Sequence, residues 1–252
     1  MKGWRGTLLL LAAWAGLSVL SLGRPWVGHG MGAILSAVLV VTALRFEAGD
    51  PPRRAWLGMA IAQASVLVVH IVAMDGWPED YTSWTIPVVL GVNIIWAGAM
   101  GIFVRNAYGS GLLPPWTLRG RLLTGVAVLA GLAALGVVLN EELGDISASS
   151  KAAGEMTEQV ANSISGVADA LMFIGAVFLV RMAAAMGGGR LMRMYVLLSL
   201  SAVGYVWIDL LNSMNNATGF TPLTAGTHLW LAFANGLLLA AAVAQMEVLK
   251  DA

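Results

Sequence analysis

The chain contains no cysteine, and this absence excludes several kinds of site at once. Without cysteine there is no disulfide, no thiolate ligand and no CxxC redox motif. Any bound metal or cofactor must therefore be held by His, Met, Asp, Glu or Asn side chains. The chain also lacks GxGxxG, GxSxG and HExxH motifs, so no common enzyme class is indicated by a local signature.

Charged residues are scarce as well, at 11% of the 252 residues against about 25% in soluble proteins. Hydrophobic residues reach 58%, and the mean hydropathy is +0.79. This composition indicates an integral membrane protein whose main partner is the lipid bilayer. The formal net charge is zero and there is no basic block, so no nucleic-acid partner is expected.

Apolar runs of the length that crosses a bilayer follow one another along the whole chain. They predict an all-α fold, a polytopic transmembrane helical bundle of about eight spans forming one domain over residues 1–252. The spans are expected at about 4–22, 26–44, 55–74, 86–104, 119–139, 160–181, 191–212 and 223–247.

The first span has an alternative interpretation, since Lys2 and Arg5 precede an apolar run that ends near Gly23, as in a secretory signal. The run from Thr7 to Leu22 is long for a signal core, which favours a retained first helix. Cleavage of residues 1–23 would leave seven spans.

Lysine and arginine alternate from one connection to the next, and this alternation predicts orientation. With the N-terminus and C-terminus both inside, twelve of the basic residues are cytoplasmic and only Arg24 and Lys151 are outside. The expected location is a bacterial inner (plasma) membrane. The acidic outer loops, 75–85 and 140–159, are either solvated or a docking surface for a protein partner.

The three histidines are all expected near the outer surface, at a similar depth. His29 lies four residues after Pro25, His228 six after Pro222, and His70 five before Asp75, which corresponds to about 6 to 9 Å below the surface. Met74 follows His70 by four residues, so both side chains lie on one helical face.

Two kinds of cofactor suit such a histidine layer. Two histidines on different helices would clamp a haem b for electron transfer in a membrane redox assembly. Alternatively, His29, His70 and His228, with Met74, would hold copper or zinc. The remaining alternative is that each imidazole ring faces headgroup water and no cofactor binds.

Buried polar residues form the second lead, because an ionisable side chain within a membrane span is a functional candidate. Asp169 is expected near mid-membrane and Asp209 near the outer surface. Together with Asn93, Asn162 and Asn235 they would line a path for protons or a small solute. Hydrogen bonds between helices would explain the same residues.

The sequence therefore leaves three functions open. The first is electron transfer at a haem or metal site near the periplasmic face. The second is a proton-linked small-solute transporter or channel that uses Asp169 and Asp209. The third is a structural docking subunit without a cofactor. Whether the protein is an enzyme stays undecided at this point.

Overall fold

The computed structural model describes residues 2–22, 24–72, 85–111, 117–148, 153–218 and 224–250. Every regular element in these ranges is an α-helix, which confirms the all-α prediction. The helices are α1 (Lys2–Ser21), α2 (Pro25–Leu44), α3 (Pro51–Val72), α4 (Thr85–Gly109), α5 (Leu118–Ala148), α6 (Ala153–Ala185), α7 (Arg190–Thr218) and α8 (Thr224–Leu249).

Six helices within the described ranges are long and apolar enough to cross a membrane. They are α1, α2, α4, α6, α7 and α8, whereas the apolar part of α5 covers only Gly120–Ala133. Large apolar side chains such as Leu9, Leu129 and Phe233 are exposed on the outward faces of the bundle, where lipid would cover them. The count of eight spans remains a prediction.

Several helix ends extend beyond the predicted spans, most of all around the segment 140–159 and at the end of α7. The segment 140–159 was expected to be a polar loop, but α5 continues to Ala148 and α6 begins at Ala153. Likewise α7 continues to Thr218, about two turns past the predicted end of the seventh span. The residues after Leu211 include neither proline nor glycine until Gly219, so nothing local stops the helix when the hydrophobic run ends.

Six helices form a closed ring in the order α2, α3, α4, α6, α7, α8, with α8 packed back against α2. The other two lie outside this ring, α1 against α8 and α2, and α5 mainly against α6. Each half of the chain therefore supplies one peripheral helix followed by three ring helices. The arginine-rich helix ends, which include Arg53, Arg105 and Arg193, lie together at one end of the bundle.

The tightest packing lies in the arginine-rich half of the ring. Trp56 and Phe103 meet edge to face there, with ring centroids 5.3 Å apart. Around them lie fully buried leucine and methionine side chains from five ring helices, α2, α3, α4, α6 and α7: Leu35, Leu39, Met59, Met100, Leu179, Met182, Met194, Leu197 and Leu198. This hydrophobic plug fills the interior of that half.

Close packing of α5 on α6 depends on a glycine. A Cβ atom on Gly131 would lie 2.7 Å from Cδ1 of Phe173, whereas a Cβ on Gly136 of the same helix would meet no atom within 4 Å. We expect Gly131→Ala to destabilise the protein by about 1–3 kcal/mol, because the Phe173 ring must shift. Thermal unfolding in detergent measures this, and Gly136→Ala should leave the unfolding temperature unchanged or slightly raised. Equal behaviour of the two variants would contradict the packing.

Candidate functional site

The centre of the candidate site is a pair of aspartates on neighbouring helices. The carboxyl groups of Asp169 of α6 and Asp209 of α7 lie close enough for a hydrogen bond between them. Such a bond requires a proton on one of the two groups, because two ionised carboxylates only accept hydrogen bonds. We call these two residues the carboxyl pair.

The two members of the carboxyl pair differ in accessibility. Asp169 is buried, with 8% of its surface exposed, and its Oδ1 atom has no hydrogen-bond partner in the described structure. Asp209 is exposed, although protein atoms surround its carboxyl group on most sides. The pair thus joins a buried oxygen to a group that solvent reaches.

The exposure of Asp209 is not exposure to lipid. On α7 the large apolar residues Leu200, Val203 and Trp207 are exposed along one face. Asp209 is about 200° around the helix from Trp207, on the same side as buried Leu198. It therefore faces the ring interior, and its exposure indicates a crevice between helices. The hydrophobic plug fills the arginine-rich half, so within the described residues the crevice does not continue through that half.

A second polar contact lies one helical turn from the carboxyl pair. Asn93 of α4 donates a hydrogen bond from Nδ2 to the Oγ atom of Ser165 on α6. Ser165 precedes Asp169 by four residues, so both lie on the same face of α6, about 6 Å apart along its axis. This contact is on the side of the pair away from the hydrophobic plug.

A third polar contact lies one turn on the other side. Tyr205, four residues before Asp209 on α7, accepts a 2.8 Å hydrogen bond from Nε2 of Gln63 on α3. Its hydroxyl group donates in turn to Oδ1 of Asn235 on α8. Tyr205 therefore connects three helices across the ring, and the Trp96 ring of α4 packs on it with centroids 5.0 Å apart.

Together these three contacts form a polar ladder through the middle of the ring. Its steps are Asn93–Ser165, Asp169–Asp209 and Gln63–Tyr205–Asn235, separated by about 6 Å each. The ladder spans about 12 Å of the bundle and takes side chains from every ring helix except α2. Exchangeable protons or hydrogen-bond acceptors are present at each step.

The ladder includes four of the five residues predicted to line a polar path. Asn162, the fifth, lies on α6 with its side chain outside the described residues. Sequence reasoning missed Gln63, Ser165 and Tyr205. Gln63 was detectable as an amide inside an apolar run, since a polar group in lipid needs a partner. Ser165 has no comparable signal, because serine is common in membrane helices as a small packing residue.

The three histidines of the predicted cofactor site lie on α2, α3 and α8, at about the same height along the bundle. A Cβ on Gly32 of α2 would lie 3.2 Å from Leu67 of α3, and His29 and His70 are each three residues further toward the same end. Thr42 Oγ1 of α2 contacts the Ala242 carbonyl of α8 at 3.5 Å. His29 and His228 precede these two residues by thirteen and fourteen positions, so they too are level.

The described side chains do not decide whether these histidines bind a metal. Among them no group of three His, Asp or Glu residues is close enough to hold a metal ion. His29 is half-buried, but the side chains of His70 and His228 lie outside the described residues, as do Met74 and the acidic segment 75–84. The predicted metal or haem site therefore stays a prediction.

Comparison with known proteins yields no relative from which a role could be transferred. No family model, no curated protein and no solved structure matches the chain. The site must therefore be interpreted from its own chemistry.

Proposed function

We propose that the protein is a proton-coupled membrane transporter of a small solute, with the carboxyl pair as the coupling site. The observation that carries this proposal is the close approach of the Asp169 and Asp209 carboxyl groups between α6 and α7, within the helix ring. A buried ionisable group within a membrane span is energetically costly, and for this reason it is a candidate for a role in ion or solute movement. Two carboxyl groups that share one proton release it when another positive charge binds beside them, or when water reaches them and stabilises both ionised groups.

The unequal packing of the ring supports alternating access. In this proposal the carboxyl pair is reached from the end of the bundle opposite the arginines, while the hydrophobic plug closes the arginine-rich half. Five of the fully buried large side chains are methionines: Met59, Met100, Met172, Met182 and Met194. Methionine repacks more readily than branched side chains. The plug therefore has the composition of a gate that opens by repacking.

The orientation belongs to the same proposal. With all eight helices spanning a bacterial inner membrane and both termini in the cytoplasm, the arginine-rich ends are cytoplasmic. The carboxyl pair is then accessible from the periplasm in this conformation. Protons enter through Asp209 and leave through the repacked plug.

The proposal is tested with purified protein in liposomes that contain a pH-sensitive dye. A pH gradient is imposed, and small cationic, neutral and anionic solutes are added in separate experiments. We expect one solute class to dissipate the pH gradient faster than in protein-free liposomes, because each transported solute molecule is accompanied by a proton that moves in the same or the opposite direction. A protonophore supplies the upper limit of the signal. If no class changes the internal pH beyond the protein-free rate, the protein is not a proton-coupled transporter.

A second candidate function is electron transfer at a haem b held by the histidine layer. The specific observation in its favour is that His29, His70 and His228 are level on three helices, of which α2 contacts both others. Two histidines on facing helices are the common ligands of a haem within a helical bundle.

Visible absorption spectra of the purified protein, oxidised and dithionite-reduced, test this second function. A reduced b-type haem band that is lost in His29→Ala would establish it. Asn106→Ala, a polar change at the arginine-rich end of α4, is the matched control and should leave the band intact. A colourless protein that also lacks stoichiometric copper and zinc would overturn both cofactor predictions.

A further inference from the structure

From the surroundings of the carboxyl pair we infer that the transported solute is an organic ammonium ion, bound by Asp169 against the rings of Trp96 and Tyr205. This inference rests on the proposed transport function and names the substrate class of the same site. It requires a free acceptor, aromatic faces close to its level, and a reason to prefer an organic cation over a metal ion.

The free acceptor is Oδ1 of Asp169. The residue is more than nine-tenths buried, and no N–H group or hydroxyl group of the described residues donates a hydrogen bond to this oxygen. A buried carboxylate oxygen without a partner is costly, so the site is incomplete until a donor fills it. An N–H group of an ammonium ion, or its polarised methyl groups, would supply the missing positive partner.

One aromatic ring, that of Trp96, lies at the level of that oxygen, and the Tyr205 ring that it contacts lies about one helical turn away. The helices α4 and α6 run in the same direction, since Asn93 contacts Ser165 and Met100 lies against Gly175 further along both. Trp96 is three residues beyond Asn93, and Asp169 is four beyond Ser165, so the two are level to within about 1.5 Å. Trp96 is 4% exposed and faces the ring interior, where it contacts Tyr205.

Aromatic rings beside a carboxylate suit an organic cation. A cation over the face of tryptophan or tyrosine gains about 0.5–2 kcal/mol when it is desolvated. The apolar substituents of an organic ammonium would also bury their surface against these rings. A hydrated metal ion gains neither of these interactions.

The same site is a poor match for an alkali or alkaline-earth cation. Hard cations replace their water shell with about six oxygen ligands, often including backbone carbonyls. Here α4, α6 and α7 are continuous helices through the level of the pair, so their carbonyl groups are engaged in helical hydrogen bonds. The other side-chain oxygens that the described structure places in the ladder, such as those of Ser165 and Tyr205, lie about one helical turn from the pair.

The charge balance gives an exchange reaction. In the unloaded state the pair holds one proton and one negative charge. When the ammonium ion binds, the proton leaves the pair, and both carboxylates face the cation. The other titratable group facing the pair within the described residues is Tyr205. Arg181 and Arg193 lie three or more turns away toward the arginine-rich end, so they do not neutralise the pair.

The test uses the full chain in detergent and a matched pair of probes. Benzyltrimethylammonium carries a permanent charge, and neopentylbenzene is its uncharged isostere. We expect saturable binding of the cation by equilibrium dialysis, with release of about one proton per bound cation in weakly buffered solution. Asp169→Asn should weaken binding about ten-fold or more and abolish the proton release. Trp96→Leu should weaken it about five-fold, and Trp96→Phe, which keeps a ring, should weaken it less.

Three results would overturn the inference. The neutral isostere would bind as tightly as the cation, or Asp169→Asn would bind the cation unchanged, or sodium chloride would displace the cation far more strongly than choline chloride does. Failure here is distinguishable from failure of the transport proposal. Proton flux driven by neutral or anionic solutes alone would leave transport intact and exclude the organic cation, whereas absence of any solute-dependent flux would exclude transport itself.

Discussion

Asp169→Asn is expected to lower solute-dependent proton flux by about a hundred-fold or more while leaving the protein folded. A positioned group that gives and accepts a proton commonly contributes that much to a proton-transfer rate. Asparagine keeps the shape of the side chain, but it cannot share a proton with Asp209. Flux in liposomes and thermal unfolding in detergent are measured on the same preparation.

The stability measurement separates a functional role from a structural one. Asp169 contains a buried oxygen without a partner, so its replacement by asparagine should leave the unfolding temperature equal or raised. Asp50→Asn, the same chemical change in the connection between α2 and α3, is the control and should alter neither flux nor stability strongly. If Asp169→Asn transports normally, or loses flux only because it unfolds, the carboxyl pair is not the coupling site.

Glu247→Gln should give the largest loss of stability, about 3 kcal/mol. Glu247 of α8 accepts a hydrogen bond from Nη2 of Arg193 on α7, and only 3% of the Arg193 side chain is exposed. The Nε atom of Arg193 already lacks a partner in the described structure. Removing the carboxylate leaves a buried guanidinium without its counter-charge, although 39% exposure of the Glu247 side chain lets water compensate part of the loss.

Chemical or thermal unfolding in detergent checks this expectation. The exposed Glu47 is the matched control, and Glu47→Gln should change the free energy of unfolding by less than about 0.5 kcal/mol. A double variant, Arg193→Met with Glu247→Gln, should recover most of the loss, because a buried ion pair is often replaced by apolar side chains at little cost. If the double variant were as unstable as Glu247→Gln alone, an unpaired charge would not be the cause.

The two predictions concern opposite ends of the proposed transport path. The contact between Arg193 and Glu247 ties α7 to α8 beside the hydrophobic plug, where the packing is tightest. The carboxyl pair lies further along α7, where Asp209 is exposed inside the ring. A variant at the first position changes stability, and a variant at the second changes coupling. The expected effects differ because Arg193 lies in densely packed surroundings, whereas Asp209 is exposed inside the ring.

Much of the fold could be predicted from the sequence. Scarce charge and long apolar runs are one-dimensional signals, so the helical character and most helix positions follow from hydropathy alone. The ends of α5 and α7 could not be predicted in this way, because a helix can continue through polar residues past the membrane, and α5 continues even past Gly144. Hydropathy marks where the lipid contact ends, and the helix continues beyond it.

The sequence by itself determined that Asp169, Asp209, Asn93 and Asn235 are polar groups in apolar segments, and that each needs a partner or a function. Only the tertiary structure decided which partners they have. The ring order brings α4 beside α6 and closes α8 against α2, and these contacts between distant segments depend on packing geometry that no local pattern encodes. That order places Asp209 against Asp169 and makes Tyr205 the link between Gln63 and Asn235. A single residue such as Tyr205 acquires its role from three helices at once, which is why it could not be identified from its position in the chain.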